Sequence, residues 1–253
     1  MTGVAVVSWV NTSLLFSMRI VPLLVFTPPF TLVIMPRLFR ALLAVGLAAT
    51  ITGGLGRQDG FPTSDLATLL PAAMHELLTG LALAMPFQFL YAGLYTAGRS
   101  IDIQAGLGTA LLIDPRSKGQ VPMVGSIIGY VAGAIFVAQD GLHDVLRIMA
   151  ASLDVVPIGM PSHGLALATL GAQLTLMCAL GFGVVGGLMV TLFLTDVVIG
   201  LLARTVPQMN ALILGIQVKS LALLALLPVV LAMSGSLLAH MIVLTLEAMP
   251  RLI

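Results

Sequence analysis

The scarcity of charge is the feature that most constrains this chain: its ionisable residues gather mostly in two short blocks within an otherwise apolar sequence. Hydrophobic residues make up 59% of the chain and charged residues 8%, and the mean hydropathy is +1.12. A soluble globular domain carries about 25% charged residues. The composition therefore predicts a polytopic membrane protein. No polar stretch is long enough for a separate soluble domain, so we expect a single membrane-embedded domain over residues 1–253.

Charges and prolines divide the apolar sequence into segments. The first segment, 4–18, is expected to end at Arg19, and a helix capped by Ser64 or Asp65 is expected to begin near Leu66. The stretches 41–56 and 205–218 are shorter than the roughly 20 residues that a spanning helix needs. The remaining segments are 20–36, 123–138, an amphipathic stretch to 153, 164–195, and an apolar pair over 221–246 with a break at 234–236.

The short segments predict an all-α integral membrane protein with kinked helical hairpins and re-entrant segments. Bent backbone at membrane depth is tolerated only where protein or water covers it. We therefore expect the segments to pack inside an assembly. The alternative is a set of ordinary tilted helices whose ends lie elsewhere.

Motifs of enzymes are missing from the sequence. His75 and Glu76 begin like a zinc-protease motif, but Thr79 stands where the second histidine is required. The chain has no Walker loop, nucleophile elbow or cysteine cluster. We expect a non-enzymatic protein with no catalytic residue, cofactor or metal, and the formal net charge of +1 gives no case for nucleic acid.

Carboxylates within apolar sequence are functional candidates by default. Glu76, Asp102 and Asp196 are the intramembrane candidates here. Each is interpreted either as a proton or ion site or as the buried partner of a basic group on another helix or subunit. Asp196 and Arg204 are two helical turns apart, so they share a helix face without touching.

The central segment, 104–122, combines glycines, a turn signal and apolar residues. Gly106 and Gly108 permit backbone geometries that a helix refuses, and Asp114–Pro115 starts a turn because the residue before proline is pushed out of the α region. A long, partly apolar loop between two membrane helices is expected to fold into a cavity. It either fills a pore or forms a packed re-entrant turn.

Four short motifs around this segment resemble, in order and spacing, the centre of the FliR family of flagellar export-gate proteins. They are Tyr95–Gly98, Gln104–Leu107, Ile113–Pro115 and Gln120–Met123. The stretches 140–159 and 201–219 are similar to that family as well, so the resemblance covers nearly the whole chain. The injectisome export-gate family SctT shares the architecture.

The resemblance implies a fold like a fusion of FliP and FliQ, in a helical assembly with FliP-like and FliQ-like subunits in the lipid membrane. FlhA-like and FlhB-like components and unfolded flagellar rod, hook and filament subunits in transit are the further partners implied. The implied location is the bacterial inner membrane, multi-pass, in the flagellar basal body. The segment 106–122 would be a pore plug, with Gly106, Leu107, Gly108, Thr109, Leu111, Leu112, Ile113, Asp114 and Pro115 as its residues. A subunit contact or channel mouth would be formed by Arg204, Pro207, Gln208, Asn210 and Lys219.

Other functions stay open at this point. An injectisome component of the SctT type is the nearest alternative. A small secondary transporter would use Glu76, Asp102, Asp196 and Lys219 as ligands, but such proteins are built from internal repeats, and we find no convincing repeat. A membrane-anchored structural subunit without pore contact is the third alternative.

Overall fold

The regular structure of the chain is helical. A computed structural model describes residues 3–27, 35–54, 65–107, 122–161, 167–205 and 210–253, and within those ranges no strand occurs. The elements are α1 (Gly3–Phe26), α2 (Arg37–Gly54), α3 (Leu66–Gln104), α4 (Met123–Ala138), α5 (Gly141–Val155), α6 (Leu167–Thr205), α7 (Ala211–Met233), α8 (Gly235–Ala248) and a closing 3-10 turn (Met249–Leu252). A helix bonds its own backbone polar groups, as hydrocarbon requires.

Within the described ranges, five helices are long and apolar enough to cross a membrane, namely α1, α2, α3, α6 and α7. The count rises to six if α4 and α5, between which the chain bends by 72°, form one broken span or a re-entrant pair. Asp140 makes the bend with a left-handed backbone, φ 57°. The protein is therefore an all-α, multi-pass membrane protein, as its composition predicted.

Several helix ends differ from the predicted segments. Arg19 does not end the first segment, because α1 continues through it to Phe26. Residues 41–54 of the stretch 41–56 belong to an 18-residue helix that begins at Arg37 and ends at Gly54. The stretch 205–218 overlaps a 23-residue helix, α7. A single arginine lowers the hydropathy locally but does not end the helix when its side chain finds a partner, as Arg19 does.

Two helices are much longer than one crossing needs. α3 and α6 have 39 residues each, which at about 1.5 Å per residue is roughly 58 Å, about twice the hydrocarbon thickness. The sequence predicted that the segment after residue 164 would hold one span and part of another. In the structure this segment lies, from Leu167 onward, in one continuous helix, α6.

Local capping explains where other helices begin and end. Asp65 accepts a hydrogen bond from the backbone N–H of Ala67 at 3.3 Å, which confirms the predicted start of α3. Asn210 starts α7 in the same way, by accepting from the N–H of Ile213 at 3.3 Å. Ser234 ends α7, and α8 begins at the next residue, which confirms the predicted break.

The chain divides into two compact units. The first unit holds Met1–Gln88, Phe136–Gln173 and Val243–Ile253, and the second holds Phe89–Ile135 and Leu174–Ile242. α3 and α6 contribute to both units. That the whole chain acts as one export-gate domain stays a prediction.

Close backbone packing occurs in each unit. In the first, a Cβ on Gly80 of α3 would lie 2.2 Å from the carbonyl oxygen of Arg19 on α1. In the second, a Cβ on Gly93 of α3 would lie 2.5 Å from the carbonyl oxygen of Met177 on α6. Because real Cβ atoms do not approach so closely, glycine is required at both crossings.

Candidate functional site

The predicted plug falls mostly outside the part of the chain that the structure describes. Of the predicted plug, the structure describes Gly106 and Leu107, and the next described residue is Pro122. The plug residues outside the described ranges are Gly108, Thr109, Leu111, Leu112, Ile113, Asp114 and Pro115. The plug role of the segment therefore stays a prediction, and the residues on both sides of it are the ones whose geometry is known.

The two flanks of this segment contact each other in the second unit. The Asp102 carboxylate, on the last turn of α3, accepts a hydrogen bond through Oδ1 from the backbone N–H of Val124 at 3.2 Å. One turn earlier, a Cβ on Gly98 would lie 2.3 Å from the Cα of Gly125. The end of α3 and the start of α4 are therefore in direct contact.

The end of α3 also contacts α6 and α7 within the second unit. The Gln104 amide donates from Nε2 to the carbonyl oxygen of Met189 on α6 at 3.2 Å. Gly106 has φ +82°, in the left-handed region that favours glycine, and a Cβ there would lie 3.3 Å from Cγ1 of Ile216 on α7. α3 thus ends against α4, α6 and α7 at the point where the predicted plug begins.

A fully buried ion pair lies in the first unit. Arg19 of α1 donates from Nε to Oε2 of Glu76 at 2.7 Å and from Nη2 to Oε1 at 3.0 Å. Both side chains have 0% exposure. This two-point geometry is the strong arrangement for a guanidinium and a carboxylate.

The rest of the guanidinium is satisfied by the C-terminal end of α5. Nη1 donates to the Ser152 carbonyl oxygen at 3.1 Å and to the Ser152 hydroxyl at 3.0 Å. Nη2 donates to the Val156 carbonyl oxygen at 3.0 Å, and the N–H of Gly159 donates to Glu76 Oε1 at 2.9 Å. All five guanidinium N–H groups have acceptors, so the pair joins α1, α3 and α5 in one polar network.

Glu76 was interpreted either as a proton or ion site or as the buried partner of a basic group. The geometry supports the second interpretation, with Arg19 as the partner. A carboxylate that accepts from a guanidinium and from a backbone N–H leaves little room for a transported ion. Sequence reasoning missed Arg19 because it took this residue as a segment end. A charged residue in an apolar sequence needs a partner. This rule identified Glu76 as a candidate, and it applies equally to Arg19.

A second ion pair lies in the second unit and is far more open. Lys219 of α7 contacts Oδ1 of Asp196 on α6 at 2.9 Å. The lysine side chain is 15% exposed and the aspartate side chain 44% exposed. Sequence spacing related Asp196 to Arg204, whereas the structure pairs it with Lys219.

Of the remaining predicted contact residues, Arg204 lies in the last turn of α6 and Asn210 lies just before α7. Arg204 and Asn210 are both exposed. Pro207 and Gln208 lie outside the described residues. Asn210 has a local role as the cap of α7, and the predicted role of this group in a subunit contact stays a prediction.

Among the described residues, no group of three or more His, Cys, Asp or Glu side chains could hold a metal ion. The site is thus a set of structural contacts around the predicted plug, together with one buried and one exposed ion pair in the two units.

Comparison with known proteins bears on the whole chain. The model of the family described as bacterial export proteins, family 1, matches residues 10–244. The flagellar biosynthetic protein FliR of Escherichia coli strain K12 is 27% identical over 209 residues, which cover 82% of this chain and 79% of that protein.

Further relatives come from both flagellar and surface-presentation systems. FliR of Bacillus subtilis strain 168 is 27% identical over 185 residues, 72% of this chain and 71% of that protein. The surface presentation of antigens protein SpaR of Shigella flexneri is 26% identical over 145 residues, 57% of this chain and 55% of that protein.

Proposed function

Because the chain belongs to family 1 of the bacterial export proteins, we propose that it is a non-enzymatic subunit of a type III export gate. In this proposal it forms a channel for unfolded flagellar rod, hook and filament proteins together with FliP-like and FliQ-like subunits. FlhA-like and FlhB-like components are its neighbours. The assembly lies in the bacterial inner membrane, in the flagellar basal body.

The relatives favour the flagellar system over the injectisome. The FliR proteins of Escherichia coli and Bacillus subtilis align over 82% and 72% of this chain, whereas SpaR aligns over 57%. The injectisome remains the second candidate, because SpaR is 26% identical where it aligns. Complementation separates the two candidates. A flagellar subunit should restore motility to a strain that lacks its flagellar counterpart, whereas an injectisome subunit should restore secretion to a strain that lacks its injectisome counterpart.

The exposed pair Asp196–Lys219 is the structural observation that carries the proposal of an assembled channel. Both residues belong to helices apolar enough to span a membrane, and the Asp196 carboxylate is 44% exposed. A charge on the part of a helix that crosses hydrocarbon is normally covered by protein or faces a water-filled cavity. The second unit therefore has a face that suits a neighbouring subunit or a channel better than lipid.

The plug proposal concerns the segment between α3 and α4. In this proposal, residues 106–122 close the channel while no substrate passes. Support comes from the apolar, glycine-containing sequence of the segment and from its start at the contacts of α3 with α4, α6 and α7.

Replacing residues 108–121 by a short Gly-Ser linker tests the proposal. We expect the complex still to assemble, because the contacts on both sides of the segment are kept, and we expect the membrane to leak small ions at rest. Co-purification with the FliP-like and FliQ-like subunits measures assembly, and conductance in planar bilayers measures the leak.

The segment 55–64, between α2 and α3, supplies a matched control. Replacing it with the same linker is expected to leave the resting conductance unchanged. An assembled complex that stays tight without residues 108–121 would exclude the plug role. Saturable solute uptake by the purified chain in liposomes would favour the transporter alternative.

A further inference from the structure

We propose that Asp102 is a positioning residue of the export gate: by capping α4, its carboxylate ties together the end of α3 and the start of α4, which lie on the two sides of the 108–121 segment. The proposal rests on the plug role proposed above for that segment. Asp102 belongs to the end of α3 and its hydrogen-bond partner, Val124, belongs to the start of α4. The two residues therefore stand on opposite sides of the segment.

The start of α4 needs an acceptor that its own sequence does not supply. The first N–H groups of a helix have no partner within the helix, and a Ser, Thr, Asp or Asn side chain just before the helix usually provides one. Pro122 stands at that position before Met123 and has no acceptor in its side chain. Asp102, 22 residues before Val124, provides the acceptor instead.

The contacts of the Asp102 carboxylate are with the backbone at the start of α4. The residue is 7% exposed, and its other oxygen, Oδ2, has no hydrogen-bond partner in the structure. Burying a polar atom without a partner costs free energy. A negative group beside a helix N-terminus recovers part of that cost through the helix dipole.

Close helix packing brings the carboxylate within reach of α4. Gly98 lies one turn before Asp102 on α3, and Gly125 follows Val124 on α4. A Cβ at Gly98 would lie 2.3 Å from the Cα of Gly125. The glycines therefore set the distance between the two helices, and the carboxylate ties the end of one to the start of the other.

Removing the Asp102 acceptor should loosen the first turn of α4, which follows the 108–121 segment in the chain. A lost cap of ordinary strength reduces the ratio of ordered to frayed turn by about fivefold. We therefore expect Asp102→Ala to raise the resting conductance of the assembled complex about fivefold. Faster hydrogen exchange at the Val124 amide should accompany this increase.

Asp102→Asn separates capping from charge. Asparagine keeps an acceptor oxygen and caps helices as well as aspartate does, so we expect its conductance and Val124 exchange to stay native. Ser234→Ala is the matched control in the same unit, because it removes one side-chain bond, from the Ser234 hydroxyl to the Val184 carbonyl at 3.0 Å, that involves neither Asp102 nor α4. The complex that carries Ser234→Ala should keep the native resting conductance.

Each result decides the proposal. Native behaviour of Asp102→Ala, or a leak in assembled Asp102→Asn equal to that of Asp102→Ala, would overturn it; the second result would assign the effect to the charge. If Asp102→Ala does not assemble, Asp102→Ser removes the reach to Val124 with a smaller loss of polarity and must leak. A tight complex without residues 108–121 would refute the plug itself, and this inference with it, whereas a leak there with a tight Asp102→Ala refutes the inference alone.

Discussion

Two of the ion pairs among the described residues, Arg19–Glu76 and Asp196–Lys219, use similar chemistry in opposite settings. In the first unit, Arg19 and Glu76 are fully enclosed and take part in a network of six hydrogen bonds. In the second unit, Lys219 and Asp196 meet in one contact of 2.9 Å with the carboxylate 44% exposed. A charge that is enclosed and fully bonded serves the fold, whereas a charge left open on a spanning helix is available to something outside the chain.

The free energies expected for the two pairs differ accordingly. Removing one partner of a buried pair costs about 3–5 kcal/mol, because the other charge is left buried without compensation. An exposed pair contributes about 0–1 kcal/mol. Three sets of variants test this comparison between the two units.

Breaking the enclosed pair should have the largest effect. We expect Arg19→Met or Glu76→Leu to destabilise the chain by about 3–5 kcal/mol, seen as a lower midpoint of thermal unfolding in detergent and less protein in the membrane. The double variant, with both charges replaced by apolar residues, should recover most of that loss. A double variant as unstable as the single variants would show that the network supplies net stability.

An intermediate effect is expected where the second unit depends on close packing. Gly93→Ala places a Cβ 2.5 Å from the Met177 carbonyl oxygen, so α3 and α6 must separate, at a cost of about 1–3 kcal/mol. Gly186→Ala, also on α6, is the matched control because a Cβ there meets nothing within 4 Å. Equal unfolding midpoints for the two variants would contradict the requirement for glycine at the crossing of α3 and α6.

The smallest effect on stability is expected at the open pair. Lys219→Met should change the free energy of unfolding of the isolated chain by no more than about 1 kcal/mol. Export by the assembled complex, measured as flagellar protein in the culture medium, should nevertheless fall strongly. A large loss of stability in Lys219→Met, or unimpaired export, would contradict the conclusion that the Asp196–Lys219 pair serves the assembly whereas the Arg19–Glu76 pair serves the fold.

Local features could be predicted from the sequence, and distant partners could not. Asp65 caps the helix that begins at Leu66, and the segment 123–138 is a helix with those ends, because caps, prolines and glycines act over a few residues. The partner of Glu76 lies 57 residues earlier, and no spacing rule connects the two. Ser152 and Gly159 fall within a stretch that resembles the FliR family, but the resemblance gave them no role.

The enclosed pair has a consequence for how the chain is made. Arg19 leaves the ribosome 57 residues before Glu76 and 133 residues before Ser152. An arginine without a partner at the centre of a spanning helix raises the free energy of insertion by about 2.5–3.5 kcal/mol. A lone α1 therefore enters hydrocarbon less favourably, by about that amount, than an uncharged helix of the same length would. Its pair with Glu76 forms only after translation has delivered α3, and its bonds to Ser152 and Val156 form only after α5 has been synthesised.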